Sequence, residues 1–189
     1  MTQEKERGPF PELLHEFIIR GRREGYAGDG KPVPSLVEGT TQFEYREGEY
    51  LYRDIFATGD SNFGGQEMVY RGDEPIWTMV YFGALSQRGL SEFGERGRRP
   101  KDSPPSEEDI YNFLKKVLRE NANLARFGGV GTLIANHGNW TYLDEAEHDF
   151  DGSVGFGGKE AIKFKGVPVY HLLYQGGALS SGWAMFGRL

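Results

Sequence analysis

One pattern occurs twice. The stretch "FGGQEMVYRGDEPIWTMVYFG" begins at Phe63, and "FGGKEAIKFKGVPVYHLLYQG" begins at Phe156. At this offset of 93 residues, Phe63/Phe156, Gly64/Gly157, Gly65/Gly158, Glu67/Glu160, Pro75/Pro168, Tyr81/Tyr174 and Gly83/Gly176 are identical. Composition alone would give roughly one or two matches over such a span. Val69/Ile162, Ile76/Val169, Trp77/Tyr170 and Met79/Leu172 are conservative pairs. The pattern reads as an internal duplication, and a duplicated chain must bury two like apolar faces.

The flanks extend it. "FPELLHEFIIRGRREGYAG" places Leu13, Leu14, Phe17 and Ile18 on one helical face, with Pro11 in the first turn and Gly25 and Gly28 at the exit. "SEEDIYNFLKKVLRENANLARFGG" places Ile110, Phe113, Leu114, Val117 and Leu118 on one face, with Ser106 as N-cap before Glu107, Glu108 and Asp109. Strand-like runs follow each helix: "QFEYRE", "EYLYRDIFA", "QEMVYR" and "PIWTMVYF", then "GTLIAN", "NWTYLD", "EAIKFK" and "VPVYHLLYQ". The expected class is therefore α+β, a duplicated unit of one helix and three or four antiparallel strands about a pseudo-twofold axis. We expect a single domain over residues 1–189, with repeat one at 10–98, a charged, Pro-rich linker at 99–105 and repeat two at 106–189. The tail "GWAMFGRL" would add a last strand.

Composition narrows the function classes. Lys+Arg 22 against Asp+Glu 28 gives a net charge of −6. That balance opposes a general grip on nucleic acid, and the one dense basic run, "GERGRRPK", reads as a solvated loop. Cys 0 excludes disulfides, thiolate metal sites and cysteine nucleophiles. The charged start "MTQEKERGPF" has no apolar stretch behind it, and no run approaches the ~18 apolar residues of a membrane span. The expected location is the cytoplasm, with no membrane contact.

Strand parity aims the two glutamates inward. In "KEAIKF", Glu160, Ile162 and Phe164 share the dry face, and Glu67 shares parity with Val69. A carboxylate there needs donors or a cation. Either each glutamate accepts backbone N–H bonds from its own Gly-Gly turn, or one or both face a central pocket. Trp77, Met79 and Tyr81 share parity, as do Tyr170, Leu172 and Tyr174, with Tyr45, Tyr50, Tyr52 and Phe56 on neighbouring strands. Apolar walls with a few hydroxyls and a carboxylate suit a small organic ligand, and an ordinary aromatic core reads the same way. The candidate ligand-binding set is Glu67, Glu160, Trp77, Tyr81, Tyr170, Tyr174 and Tyr52.

Other chemistry finds little support. His148 lies among Asp144, Glu145, Glu147, Asp149 and Asp151, without calcium-loop spacing, and His15, His137 and His171 show no paired zinc spacing. "GGALSSGW" is no nucleophile elbow. "RFGGVGTLIA" lacks the third glycine of a dinucleotide fingerprint, and "GFGGKEA" lacks Walker spacing. No cofactor is expected.

Tyr26-Ala27-Gly28, then Tyr45, Gly48, Tyr52 and Asp54, then Phe63, Gly65 and Glu67, then Pro75, Trp77, Met79, Tyr81 and Gly83 form a recurring string. Over roughly residues 13–179, and most strongly before Gly83, the chain resembles an uncharacterised bacterial and archaeal domain family. Its members stand alone or behind a helix-turn-helix of the Cro/repressor (XRE) type. The usual Met-Asn-Tyr is Met79-Val80-Tyr81 here, and no helix-turn-helix segment is present. The resemblance implies an effector-sensing role, and without the helix-turn-helix segment no direct nucleic-acid binding is expected. The architecture is also similar to gyrase-inhibitor/SOUL-like effector-binding folds.

The expected function is a small-molecule binding module with a cleft between the repeats. One alternative is a small hydrolase or isomerase with Glu67 or Glu160 as general base, assisted by a tyrosine or His171. The other is an interaction protein whose exposed strand edges make a homodimer.

Overall fold

A computed structural model describes residues 10–28, 30–95, 103–126, 132–148 and 155–179. The elements in chain order are α1 (Phe10–Glu24), β1 (Thr41–Glu47), β2 (Tyr50–Thr58), β3 (Asn62–Arg71), β4 (Glu74–Leu85), α2 (Gln87–Glu95), α3 (Glu107–Glu120), β5 (Thr132–His137), β6 (Trp140–His148), β7 (Gly155–Phe164) and β8 (Val167–Ala178). All eight strands belong to one antiparallel sheet of order β1-β2-β3-β4-β8-β7-β6-β5. Two four-stranded meanders thus meet at β4 and β8, where Tyr81 lies directly opposite Tyr174.

The expected α+β class of duplicated helix-plus-strand units is overturned. The described residues are mostly β, one continuous eight-stranded sheet with three helices. The physical reason lies in the glycines. The expectation ended strands at "FGG" and treated Gly-Gly as a turn. Gly64, Gly65, Gly157 and Gly158 instead sit inside β3 and β7, and Gly176 and Gly177 carry β8 onward. The strands are therefore longer than expected, reaching 12 residues in β4 and β8. Those two pair from Trp77↔Ala178 to Leu85↔Tyr170, which fuses the meanders.

Turn chemistry sets the register. β1–β2, β3–β4, β5–β6 and β7–β8 are joined by two-residue turns. In the last, Lys165 and Gly166 both have positive φ (50° and 80°), the pairing a type I′ hairpin demands.

Period-2 alternation then sorts the side chains. The inner face holds Tyr52 and Asp54 (β2), Glu67 and Val69 (β3), Trp77, Met79 and Tyr81 (β4). Its other half holds Tyr142 and Asp144 (β6), Glu160 and Ile162 (β7), Tyr170, Leu172 and Tyr174 (β8); all are buried. Leu14, Phe17 and Ile18 of α1 and Ile110, Phe113, Leu114, Val117 and Leu118 of α3 pack into the same core. Each such burial contributes roughly 1.5–3 kcal/mol. The Leu13 side chain lies outside the described part of α1. Ser106 caps α3 as expected, accepting the Asp109 N–H at 3.1 Å while Asp109 accepts back from the Ser106 backbone.

Helix α2 has no counterpart in the sequence reading. Two glycines in "QRGLSEFGE" mask it, yet a Cβ on Gly89 would strike the Pro168 carbonyl, so close packing on β8 requires glycine there. Residues 99–102 of the expected linker, most of "GERGRRPK" and the tail "GWAMFGRL" lie outside the described residues.

Candidate functional site

Two polar networks run through the apolar layer between sheet and helices. In the first, Arg22 near the end of α1 donates from Nε to Glu67 Oε2 at 2.8 Å and from Nη1 to the Ala125 carbonyl at 3.1 Å. Its guanidinium lies 6.0 Å from the Trp77 ring centroid. The Tyr81 hydroxyl donates to Asp54 Oδ1 at 2.7 Å. In the second, Arg126 follows α3 and grips Glu160 with both Nε (2.7 Å) and Nη2 (2.8 Å). Tyr142 and Tyr170 also donate to Glu160, and Tyr174 donates to Asp144 Oδ1 at 2.7 Å. Arg126 holds positive φ (60°), an unfavourable region for arginine, and its own N–H donates to Asp144 Oδ2 at 2.8 Å. The fork on Glu160 and the bond to Asp144 together over-determine that conformation.

Both glutamates are therefore neutralised by arginine. The reading in which each accepts from its own Gly-Gly turn does not hold, because no turn is there. The second glycine of each pair has a different task. Gly65 faces Tyr81 and Gly158 faces Tyr174 across the sheet. A Cβ on Gly65 would lie 2.5 Å from the Tyr81 hydroxyl, and one on Gly158 closer still to that of Tyr174. The glycines clear the path along which each tyrosine reaches its aspartate.

The two networks differ at the aspartates. Asp144 has two donors, Tyr174 and the Arg126 backbone. Asp54 has one among the described residues, Tyr81, and is only 5% exposed. Burial, then the nearby Glu67 charge, pushes the Asp54 carboxyl up to about 7. Burial and then Glu160 push Asp144 up to about 6.

Asp54 also borders open space. A cavity of about 350 Å³ is lined by Asp54, Phe56, Phe63 and Tyr81 from the sheet, Tyr26 beyond α1, Tyr111, Leu114 and Lys115 of α3, and Arg126. Thr58 at the end of β2, Gly59 and Ser61 of the β2–β3 loop, Asn62 at the start of β3 and Glu107 of α3 complete it. The wall is built from interlocked rings. Phe63 packs edge-on to Tyr111 at 6.1 Å and stacks on Tyr170 at 5.9 Å, and Tyr26 meets Phe56 edge-on at 5.8 Å. Arg126 lies 5.9 Å from the Tyr81 ring centroid, and Lys115 Nζ lies 4.8 Å from that of Tyr26. Burial drives the Tyr111 hydroxyl up to about 12 and Tyr26 higher, so both stay protonated. A second void of about 20 Å³, room for a water molecule, lies between Arg22, Glu67, Tyr52 and Asp54.

The residues singled out from sequence are thus divided. Tyr81 lines the large cavity; Glu67 and Tyr52 line the small void. Glu160 and Tyr170 are buried in the second network, and Tyr174 is bonded to Asp144. Trp77 is fully buried, stacked on Phe156 at 6.1 Å, with no partner for its indole N–H among the described residues. His171 is exposed on the opposite sheet face. The candidate set read from sequence left out Asp54 and Tyr26, which stand only in the family string, and did not include Arg22, Arg126, Tyr111 or Lys115. Asp54 had a signal: it shares parity with Tyr52 and Phe56, the same argument that flagged Glu67. Arg22 stands four residues after Ile18 on the apolar helix face. Arg126 lies in a turn, which carries no periodic signal.

Among the described residues no group of three or more His, Cys, Asp or Glu could hold a metal ion. No described helix is long and apolar enough to cross a membrane. A family described as a domain of unknown function (DUF5680) matches residues 54–179. No curated protein and no solved structure gives a match. The matched span begins at Asp54 and covers β3, β4, α2, α3 and all of β5–β8. The chain belongs to the DUF5680 family.

Proposed function

We propose that this DUF5680 chain is a small-molecule binding module whose ligand occupies the cavity of about 350 Å³ beside Asp54. The observation that supports it is the difference between the two aspartates. Asp144 is satisfied by two donors, whereas Asp54, equally deep, has one and borders a space large enough for a guest. Ligand sites start at roughly 300 Å³ and combine apolar walls with a few polar groups. The cavity draws lining from both sides of the expected linker, so a guest would bridge the N-terminal strands and α3. On this reading the ligand is an effector and the module works in the cytoplasm.

Thermal-shift screening of a small-molecule library tests it. Binders should raise the Tm of the wild type and lose most of that effect in Tyr111→Leu, which removes a cavity ring. A library that shifts both proteins equally, or neither, refutes the cavity as the site.

One observation favours a second reading, proton transfer. A carboxyl titrating at about 7 beside a tyrosine hydroxyl is matched to general base work at neutral pH. That role falls to Asp54, since Glu67 and Glu160 are held by arginines. Turnover of a cavity ligand, abolished by Asp54→Asn with binding retained, would favour it.

A further inference from the structure

We propose that the ligand of this cavity is a small organic ammonium cation, one or two rings or a short apolar chain carrying a protonated amine that pairs with Asp54. This rests on the binding reading above.

The argument is a charge inventory of the wall. Arg126 spends both Nε and Nη2 on Glu160. Lys115 lies against the Tyr26 ring, with Glu107 on the same helix at the same cavity. The cationic side chains here are already engaged. Asp54 is not: its Oδ1 accepts from Tyr81, and its Oδ2 has no donor among the described residues. An anionic guest would set like charge against a buried carboxylate. A neutral apolar guest would dry that carboxylate without compensating it. An ammonium group supplies both the opposite charge and N–H donors.

The rest of the wall suits the same guest. Phe56, Phe63, Tyr26 and Tyr111 present aromatic surface, whose faces attract cations. Two such pairs are already made internally, Lys115 with Tyr26 and Arg126 with Tyr81. The volume, near the low end for ligand cavities, limits the apolar part to about one or two rings.

The pairing carries a pH signature. Asp54 is faced by Tyr81 of β4, Glu67 of β3, Tyr52 of β2, Arg22 of α1, and Tyr26 and Arg126 beyond the helices. The Asp54 carboxyl, pushed up to about 7, takes up a proton as pH falls and so removes the partner of the amine. A primary amine, with a pKa of about 10, stays charged throughout. Affinity should therefore drop by about tenfold from pH 8 to pH 6.

Calorimetric titration of the full chain with three matched probes decides the matter: phenethylammonium, 2-phenylethanol and 3-phenylpropionate. The ammonium should bind tightest, weaken about tenfold between pH 8 and pH 6, and lose its advantage over the alcohol in Asp54→Asn. Should that variant not fold, the wild-type pH dependence is decisive alone. Equal or tighter binding of the alcohol or the carboxylate, or pH-independent ammonium binding, overturns the ammonium assignment and leaves the cavity reading standing. Failure of all three probes on the wild type, together with a library screen that finds no Tyr111-dependent binder, overturns both.

Discussion

Replacing Asp54 with asparagine should stabilise the protein at neutral and alkaline pH, contrary to the usual effect of changing a buried residue. In the folded chain the carboxyl titrates at about 7, against an ordinary 3.8. A raised folded value means that the native state holds its proton where the unfolded chain has released it. The stabilisation from this group is complete below pH 3.8, declines through the interval up to about 7, and is gone above it. A shift of about three units corresponds to about 4 kcal/mol, lost at about 1.4 kcal/mol per pH unit. Asparagine has nearly the same shape and can still accept from Tyr81, but it cannot ionise. The variant should match the wild type near pH 4 and exceed it by about 2–4 kcal/mol at pH 8. Urea unfolding at pH 4, 5, 6, 7 and 8 measures the gap. Asp144→Asn is the contrast: its amide can accept only one of the two donors, so it should gain much less. Parallel wild-type and Asp54→Asn curves from pH 5 to pH 8 would refute the reasoning.

Glu160→Gln should destabilise by about 3–5 kcal/mol in urea unfolding, because it strands the buried Arg126. Glu67→Gln should be milder, since Arg22 also binds the Ala125 carbonyl. Gly65→Ala and Gly158→Ala should each lose about 1–3 kcal/mol by pushing a tyrosine from its aspartate. Gly157→Ala, meeting only the Tyr174 carbonyl oxygen at 3.4 Å, should stay within about 1 kcal/mol in the same assay. Trp77→Phe should cost less than the roughly 3–5 kcal/mol of a truncation to alanine, because it also removes a buried donor that has no partner among the described residues.

Local periodicity made the strands and the two long helices legible in the sequence. Trp77, Tyr81, Ile162 and Tyr170 fall on the inner face that parity assigns, and Ser106 caps α3. The joining of strands was not legible, because hydrogen bonds between β4 and β8 depend on partners far apart in the chain. Reading Gly64-Gly65 as a turn was the key error. A glycine inside a strand and a glycine in a turn look alike until the neighbouring strand supplies a tyrosine that needs the room. The site suffered from the same blindness to distance. Glu67 and Glu160 were correctly aimed at the dry side, but Arg22 and Arg126, their partners, approach from helix ends. Asp54, which the family string contains, passes the same parity test as the glutamates, two residues from Tyr52 and from Phe56.

The β4–β8 seam also bears on how the chain folds. Tyr81 and Tyr174 are cross-strand neighbours separated by almost half the sequence. The first meander can form from local hairpins while the chain is being made, but β4 keeps an open edge until β8 has emerged. Val80 and Phe82, exposed even in the finished sheet, lie on that strand. An unpaired edge flanked by apolar side chains is a template for wrong partners. Closing the seam carries the largest loop-closure entropy in the sheet and should be the slow step of folding, the stage at which chaperones or a truncated chain would reveal themselves.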